Sequence, residues 1–161
     1  MIVSNASPFI NISAIRKLDL LRKLYKQILI PAAVWDEIVI KGKGQPGSEA
    51  VRKANWIKKE PVQNVTLVET LGLTLDRGEA EAIALAKEKN AELLLIDEQL
   101  ARKVADHLSL NYIGLIGVLR EAKSKGLIKG IKSQMDLLRT VAGFWISEDV
   151  YKEILKLEDE I

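Results

Sequence analysis

Short apolar runs recur along the chain, and between them the apolar residues fall at helical spacing. The runs are Ile2-Val3-Ser4, Gln27-Ile28-Leu29-Ile30, Leu93-Leu94-Leu95-Ile96 and Leu110 to Ile113, each too brief for a helix. The third is apolar at four successive positions, as in a parallel strand covered on both faces. Phe9, Ile12 and Ile15 mark one helical stretch, and Leu20, Leu21 and Leu24 mark another from about Asp19 to Tyr25. Val34 and Ile38 mark a third, from Ala32 to about Ile40. Leu100, Val104 and Leu108 predict a helix over Gln99–Leu108, and Val118, Leu119 and Ala122 one ending near Gly126. Two amphipathic helices follow at about Ile131–Val141 and Ser147–Leu157, with Trp145 and Ile146 tucking the last onto the body. Trp56 to Val62, interrupted by Pro61, reads as an added edge strand. Strands alternating with helices predict an α/β fold: a three-layer α/β/α sandwich around a central parallel sheet. With no repeat and no linker, residues 1–161 read as a single domain on which the C-terminal helices, about 131–161, pack.

Local signals punctuate this pattern. Ser7-Pro8 reads as a helix cap and first helical residue, Pro31 as a helix opener, and Ser48 as the cap of a short helix to Asn55. The segment from Lys41 to Gly47, KGKGQPG, is the clearest loop. The chain is organised around Asp76 to Glu98, a helix feeding a buried strand. Asp76 and Glu79 have the D-x-x-E spacing of a capping box, and Asn90 is a left-handed stop.

Composition narrows the chemistry more than the fold. The 161 residues include no cysteine and one histidine, His107, so disulfides, thiolate metal sites and His-rich zinc sites are excluded. A hard, oxygen-liganded cation such as Mg²⁺ or Mn²⁺ remains open. The net charge of +2 permits nucleic acid without requiring it. No apolar run approaches the ~18 residues of a membrane span, and MIVSNASP lacks the layout of a signal peptide, so a cytoplasmic protein is expected. The Leu20-Leu21-Leu24 face and the C-terminal helices hold more apolar surface than a small sheet buries, which predicts a homodimer.

Acidic and amide side chains recur where strands end or the next helix begins: Asn5, Glu37, Glu79, Asp97 and Glu98. In a parallel sheet these positions share one edge, the edge at which open α/β sheets bind ligands. Gathered carboxylates repel one another, and a divalent cation neutralises them. Each residue also has a local reading. Glu79 completes a capping box, Asp97 and Glu98 suit a helix N-terminus, Glu37 suits a solvated helix face, and Asn5 suits a turn.

These residues together resemble the PIN domain, the nuclease fold of VapC-type toxins. The resemblance rests on Val3-Ser4-Asn5-Ala6-Ser7-Pro8-Phe9-Ile10, Ile30-Pro31-Ala32-Ala33-Val34-Trp35-Asp36-Glu37, Gly78-Glu79-Ala80-Glu81-Ala82-Ile83-Ala84-Leu85-Ala86 and Leu94-Leu95-Ile96-Asp97-Glu98-Gln99-Leu100-Ala101-Arg102. Gly114-Leu115-Ile116-Gly117 and Gly143-Phe144-Trp145-Ile146-Ser147 extend it over nearly the whole chain. It implies an Mg²⁺- or Mn²⁺-dependent endoribonuclease acting on single-stranded RNA, often a toxin silenced by a small antitoxin protein, and commonly a dimer. The family's metal-binding acids fall on Asn5, Glu37, Glu79 and the Asp97/Glu98 pair. In that reading Asn5, Glu79, Asp97 and Glu98 hold metal, and Glu37 is an outer ligand or water orienter. Glu37, Glu79, Asp97 and Glu98 then form the catalytic set, while Lys41, Lys43 and Arg102 hold the RNA backbone. Three positions depart from the pattern: Asn5 and Glu98 stand where aspartate is usual, and Leu115 where threonine is usual. An amide can ligate but brings no charge and is no base, so the alternative is a weakened or inactive PIN module that binds RNA or a partner protein. A phosphoacceptor receiver domain needs paired acids after the first strand, and Ser4-Asn5 lacks them.

Overall fold

Parallel pairing requires a crossover between every two strands, and the helical stretches supply it. The computed structural model describes all 161 residues. In chain order the elements begin with β1 (Ile2–Ser4), α1 (Ala6–Ala14), α2 (Asp19–Tyr25) and β2 (Ile28–Ile30). Next is α3, an α-turn (Ala32–Trp35) continued by a π-helical turn (Asp36–Ile40). Then come α4 (Ser48–Lys53), β3 (Ile57–Lys59), α5 (Val65–Leu71), α6 (Arg77–Glu88) and β4 (Leu93–Leu95). The chain ends with α7 (Gln99–His107), β5 (Tyr112–Ile113), α8 (Leu115–Ser124), α9 (Lys132–Thr140) and α10 (Glu148–Leu157). The five strands form one all-parallel sheet in the order β3-β2-β1-β4-β5. The chain lays β2 and β3 to one side of β1, then returns to place β4 and β5 on the other. The order therefore reverses between β1 and β4, the crevice where such sheets bind ligands. Ser4 pairs with Leu95 across that junction, which brings Asn5 and Asp97 to one edge.

Val3, Ile28, Ile30, Leu94 and Leu95 are sealed within the sheet's two covered faces. Every residue of α6 from Gly78 to Ala86 is buried, as expected of a helix enclosed on all sides. Its alanines let neighbouring elements approach closely. Ile131, Met135 and Leu138 around α9, with Leu155 of α10, belong to the same buried core. No helix is long and apolar enough to cross a membrane.

The structure differs from the sequence pattern at several places. Asn5, not Ser7, is the N-cap of α1, with extended backbone. Pro8 then falls in the first turn, where its missing N–H removes no intrahelical bond. Ser48 does not cap α4: Gly47 does, with φ of 92°, while the Ser48 hydroxyl donates to Val39 O at 3.1 Å. Helix α5 was not legible; Asn64 Oδ1 starts it by accepting from Leu67 N–H. On α7 the sealed residues are Ala101 and Ala105, whereas Leu100 is 50% exposed. Small side chains win that face because α7 packs on the alanine-rich α6. Ile146 alone tucks in the C-terminal segment, and Trp145 stands out in solvent. Leu20 and Leu21 are buried inside the molecule where α2 meets α8, so these two leucines of the expected dimer surface are taken up within the monomer, while Leu24 stays partly exposed.

Candidate active site at the carboxyl edge of the sheet

Asn5 leaves β1 with its N–H donated to Leu95 O at 3.0 Å, and its side chain is buried. It faces the first turn of α6 at Gly78. A methyl group there would stand 3.2 Å from Glu37 Oε1, 3.5 Å from Asn5 Oδ1 and 3.6 Å from Asp76 Oδ1. Side-chain oxygens from β1's end, from α3 and from the cap of α6 thus crowd one glycine. A side chain at residue 78 would displace Glu37.

Glu79, also in the first turn of α6, is buried. Its Oε1 accepts from Asp76 N–H at 3.1 Å while Asp76 Oδ1 accepts from Glu79 N–H at 2.8 Å, completing the capping box. Asp97 follows β4 and turns inward. Its Oδ1 accepts from Leu115 N–H at 3.0 Å and lies 3.5 Å from Arg102 Nη2. Its Oδ2 is buried with no donor at all. Arg102 donates Nε–H to Ile96 O, sits 5.5 Å over the Tyr112 ring, and crosses Gly114, where any side chain would collide with it. Glu98, the N-cap residue of α7, is exposed and makes no capping bond.

The carboxylates feel one another. Burial pushes the Glu79 carboxyl upward; the Asp76 N–H offsets this in part, and the charges of Asp76, Glu98 and Glu37 add to it. Glu37 is raised by loss of water and by Asp76, against Lys41. Asp97 is raised by burial first, with Leu115 N–H and Arg102 opposing and Glu98 reinforcing. Ionising this edge without a counter-charge is therefore costly.

Asp97, Glu98 and Arg102 line an open cleft of about 930 Å³ together with Ser7, Asn11 and the segment around Trp145. Glu37, Asp76, Lys41 and Arg77 line a separate hollow of about 470 Å³. Asn5 and Glu79 line neither. Arg102 is engaged locally with Asp97, and Lys43 is exposed on the loop before α4. Asp76, which the pattern marks only as a cap, is the additional acid here; the D-x-x-E spacing was its signal.

These residues suit a hard cation. The donors are all oxygens, and Asp97 Oδ2 is a buried acceptor lacking any partner. No three histidine, cysteine or acidic side chains close a ready-made cage. Glu79 is turned to its capping box and Asp97 is held by Leu115 and Arg102, so each would offer only its free oxygen.

A parallel α/β fold with acidic side chains along the edge of its switch point belongs to the class of open sheets that bind ligands there. The comparison with known families makes this specific: a family model described as a PIN domain matches residues 1–160, and the chain belongs to that family. PIN domains form a nuclease superfamily, and its nucleases usually use divalent metal ions. No curated protein and no solved structure matches the chain.

Proposed function

We propose that this PIN domain is an Mg²⁺- or Mn²⁺-dependent endoribonuclease that cleaves single-stranded RNA. The observation that carries the reading is the partnerless, buried Oδ2 of Asp97 at an edge where Glu79 and Glu37 are raised by burial and by neighbouring acids. Asn5, Glu79, Asp97 and Glu98 would hold the cation, with Glu37 oriented toward them from α3. A bound divalent ion supplies an acidified water and neutralises charge on the leaving oxygen of the phosphodiester.

The chain's own groups then divide the work. Glu37, whose carboxyl is raised by lost water and by the charge of Asp76, is a stronger proton acceptor than an exposed acid. Arg102 holds Asp97 with its guanidinium 3.5 Å from Oδ1, and Gly114 leaves room for it to do so. Cleavage of a mixed RNA panel, titrated with Mn²⁺ and Mg²⁺, tests the reading. Metal-dependent cleavage that Glu79→Gln and Asp97→Asn both abolish supports it; cleavage surviving in both variants overturns it.

The second reading, a weakened or inactive PIN module binding RNA or a partner, is favoured by Asn5 and by the engagement of Glu79 in its capping box. RNA binding without cleavage at saturating Mn²⁺ selects it. The VapC-type resemblance supports a further proposal, a toxin held by a small antitoxin protein, and a homodimer. With Leu20 and Leu21 internal, a dimer would rest on Leu24 and on exposed apolar residues of the C-terminal helices such as Leu137 and Leu157, and sedimentation at micromolar concentration distinguishes it from the monomer.

A further inference from the structure

Trp145 is 83% exposed, yet it is not on a loose tail. On one side Phe144 N–H donates to Leu138 O at 2.9 Å. On the other, Arg139 Nη2 donates to Ile146 O at 2.7 Å, and Ile146 is buried. Ser147 then caps α10 by accepting from Val150 N–H. The indole is thus held out in water on a backbone pinned from both sides. Its free exposure forgoes the burial that aromatic rings normally gain.

Its position matters more than its exposure. Trp145 lines the same cleft as Asp97 and Glu98. Five of the fifteen lining residues are hydrophobic, and the ten others are polar, charged or glycine. The uncharged polar lining includes Asn11, Gln99 and Ser7, whose buried hydroxyl has no partner. Amides and hydroxyls of this kind match the donor and acceptor edge of a nucleobase. An aromatic face beside them matches its flat surface.

We propose that Trp145 is a stacking platform for one base of the single strand, and that it sets where the strand lies relative to the acids. This rests on the nuclease reading of the cleft, but its readout is binding, not cleavage. The ligand is a single-stranded oligoribonucleotide, gripped through a base and not through its phosphates, since the cleft wall is acidic and Arg102 is already engaged.

The test uses the full chain in chelator, so that no cleavage occurs. Tryptophan fluorescence and anisotropy are followed on titration with 12-nucleotide oligo-A and oligo-U, and with an abasic strand of equal length. Wild type should bind the base-bearing strands with quenching of Trp145 emission. W145A should bind them roughly five- to a hundredfold more weakly, with W145F retaining most of the affinity. The abasic strand should not distinguish the variants. Equal affinity of wild type and W145A, or no detectable binding by wild type, overturns the proposal; metal-titrated cleavage then judges the nuclease reading separately. If instead W145A abolishes self-association and leaves RNA affinity unchanged, Trp145 belongs to a protein interface and the proposal fails. Circular dichroism melts should coincide for all three proteins, as expected for a side chain so exposed.

Discussion

Glu160 and Asp97 are withdrawn from water to a similar extent, with side chains 18% and 15% exposed, yet their carboxyl pKa values move in opposite directions. Burial raises both. At Glu160 the opposing groups win: Lys123 Nζ donates at 2.8 Å, Ile131 N–H reaches both oxygens at 3.0 and 2.8 Å, and Lys132 N–H donates at 3.0 Å. The end of the chain thereby ties itself to the N-terminus of α9, where a carboxylate is favoured. Asp97 has one backbone N–H and a more distant guanidinium, and its Oδ2 has nothing. Donor supply adds to depth in separating the two, since the Asp97 carboxyl is the more deeply enclosed. A region built for stability satisfies its acids, whereas the carboxyl edge leaves its acids under-satisfied, and that is where a cation or a substrate can do what the fold does not.

Mutations should separate the two regions cleanly, starting with the largest effect. Removing charge from the edge, by Glu79→Gln or Asp97→Asn, should lower metal-dependent RNA cleavage by at least about a hundredfold. The fold should survive, since each change removes a carboxylate the structure holds at a cost. Glu160→Gln should do the reverse: cleavage per folded molecule stays within about twofold of wild type, while urea melts show a loss of about 2 kcal/mol. Loss of cleavage in Glu160→Gln at temperatures where it is fully folded would erase the distinction.

A smaller effect sharpens the edge's side of the comparison. Asn5→Asp adds a charge beside Glu37 and Asp76 near Gly78, so the metal-free protein should melt lower. The same charge should tighten Mn²⁺ binding by about tenfold in calorimetry, or about 1.4 kcal/mol, and saturating Mn²⁺ should recover the lost stability. Cleavage should rise with it. Unchanged Mn²⁺ affinity would place residue 5 outside the cation's shell.

How much of this contrast the sequence carried depends on what each residue's position rests on. Strand runs such as Leu93 to Ile96 are legible because burial on both faces leaves no polar position, and strand ends locate Asn5 and Asp97 at one edge. The capping box was legible because its two bonds are local. The crowding around Gly78 was not, because it depends on how closely α3 and β1 approach α6. Helix α5 was hidden for another reason: its Val65, Thr66, Val68 and Thr70 are β-branched, and packing against α6 overrides that preference. Trp145 and Leu20-Leu21 show that hydrophobicity names candidates for burial without saying which are buried. Glu160 carries no sequence signal, since its donors lie 28 to 37 residues away.

The smallest effect lies in pH, and it should have opposite signs in the two regions. Asp97 has a raised carboxyl pKa in the folded chain, so the folded state binds its proton more tightly than the unfolded state. Its stabilising contribution is complete below the ordinary carboxylate pKa and is lost as pH rises through the raised value. Glu160 is lowered, so its contribution is present above the ordinary pKa and is lost as pH falls through the lowered value. In chelator, Asp97→Asn should therefore gain on wild type as pH rises above the ordinary carboxylate value of about 4. The advantage of wild type over Glu160→Gln should shrink from about pH 5 to about pH 3. Saturating Mn²⁺ should reverse the first trend, because the ion binds the ionised carboxylate and favours the wild-type folded state as pH rises. It should leave the second trend unchanged, because Glu160 already has its donors. Parallel slopes for the two variants, with or without Mn²⁺, would mean that the two groups of acids differ only in place and not in how the protein holds them.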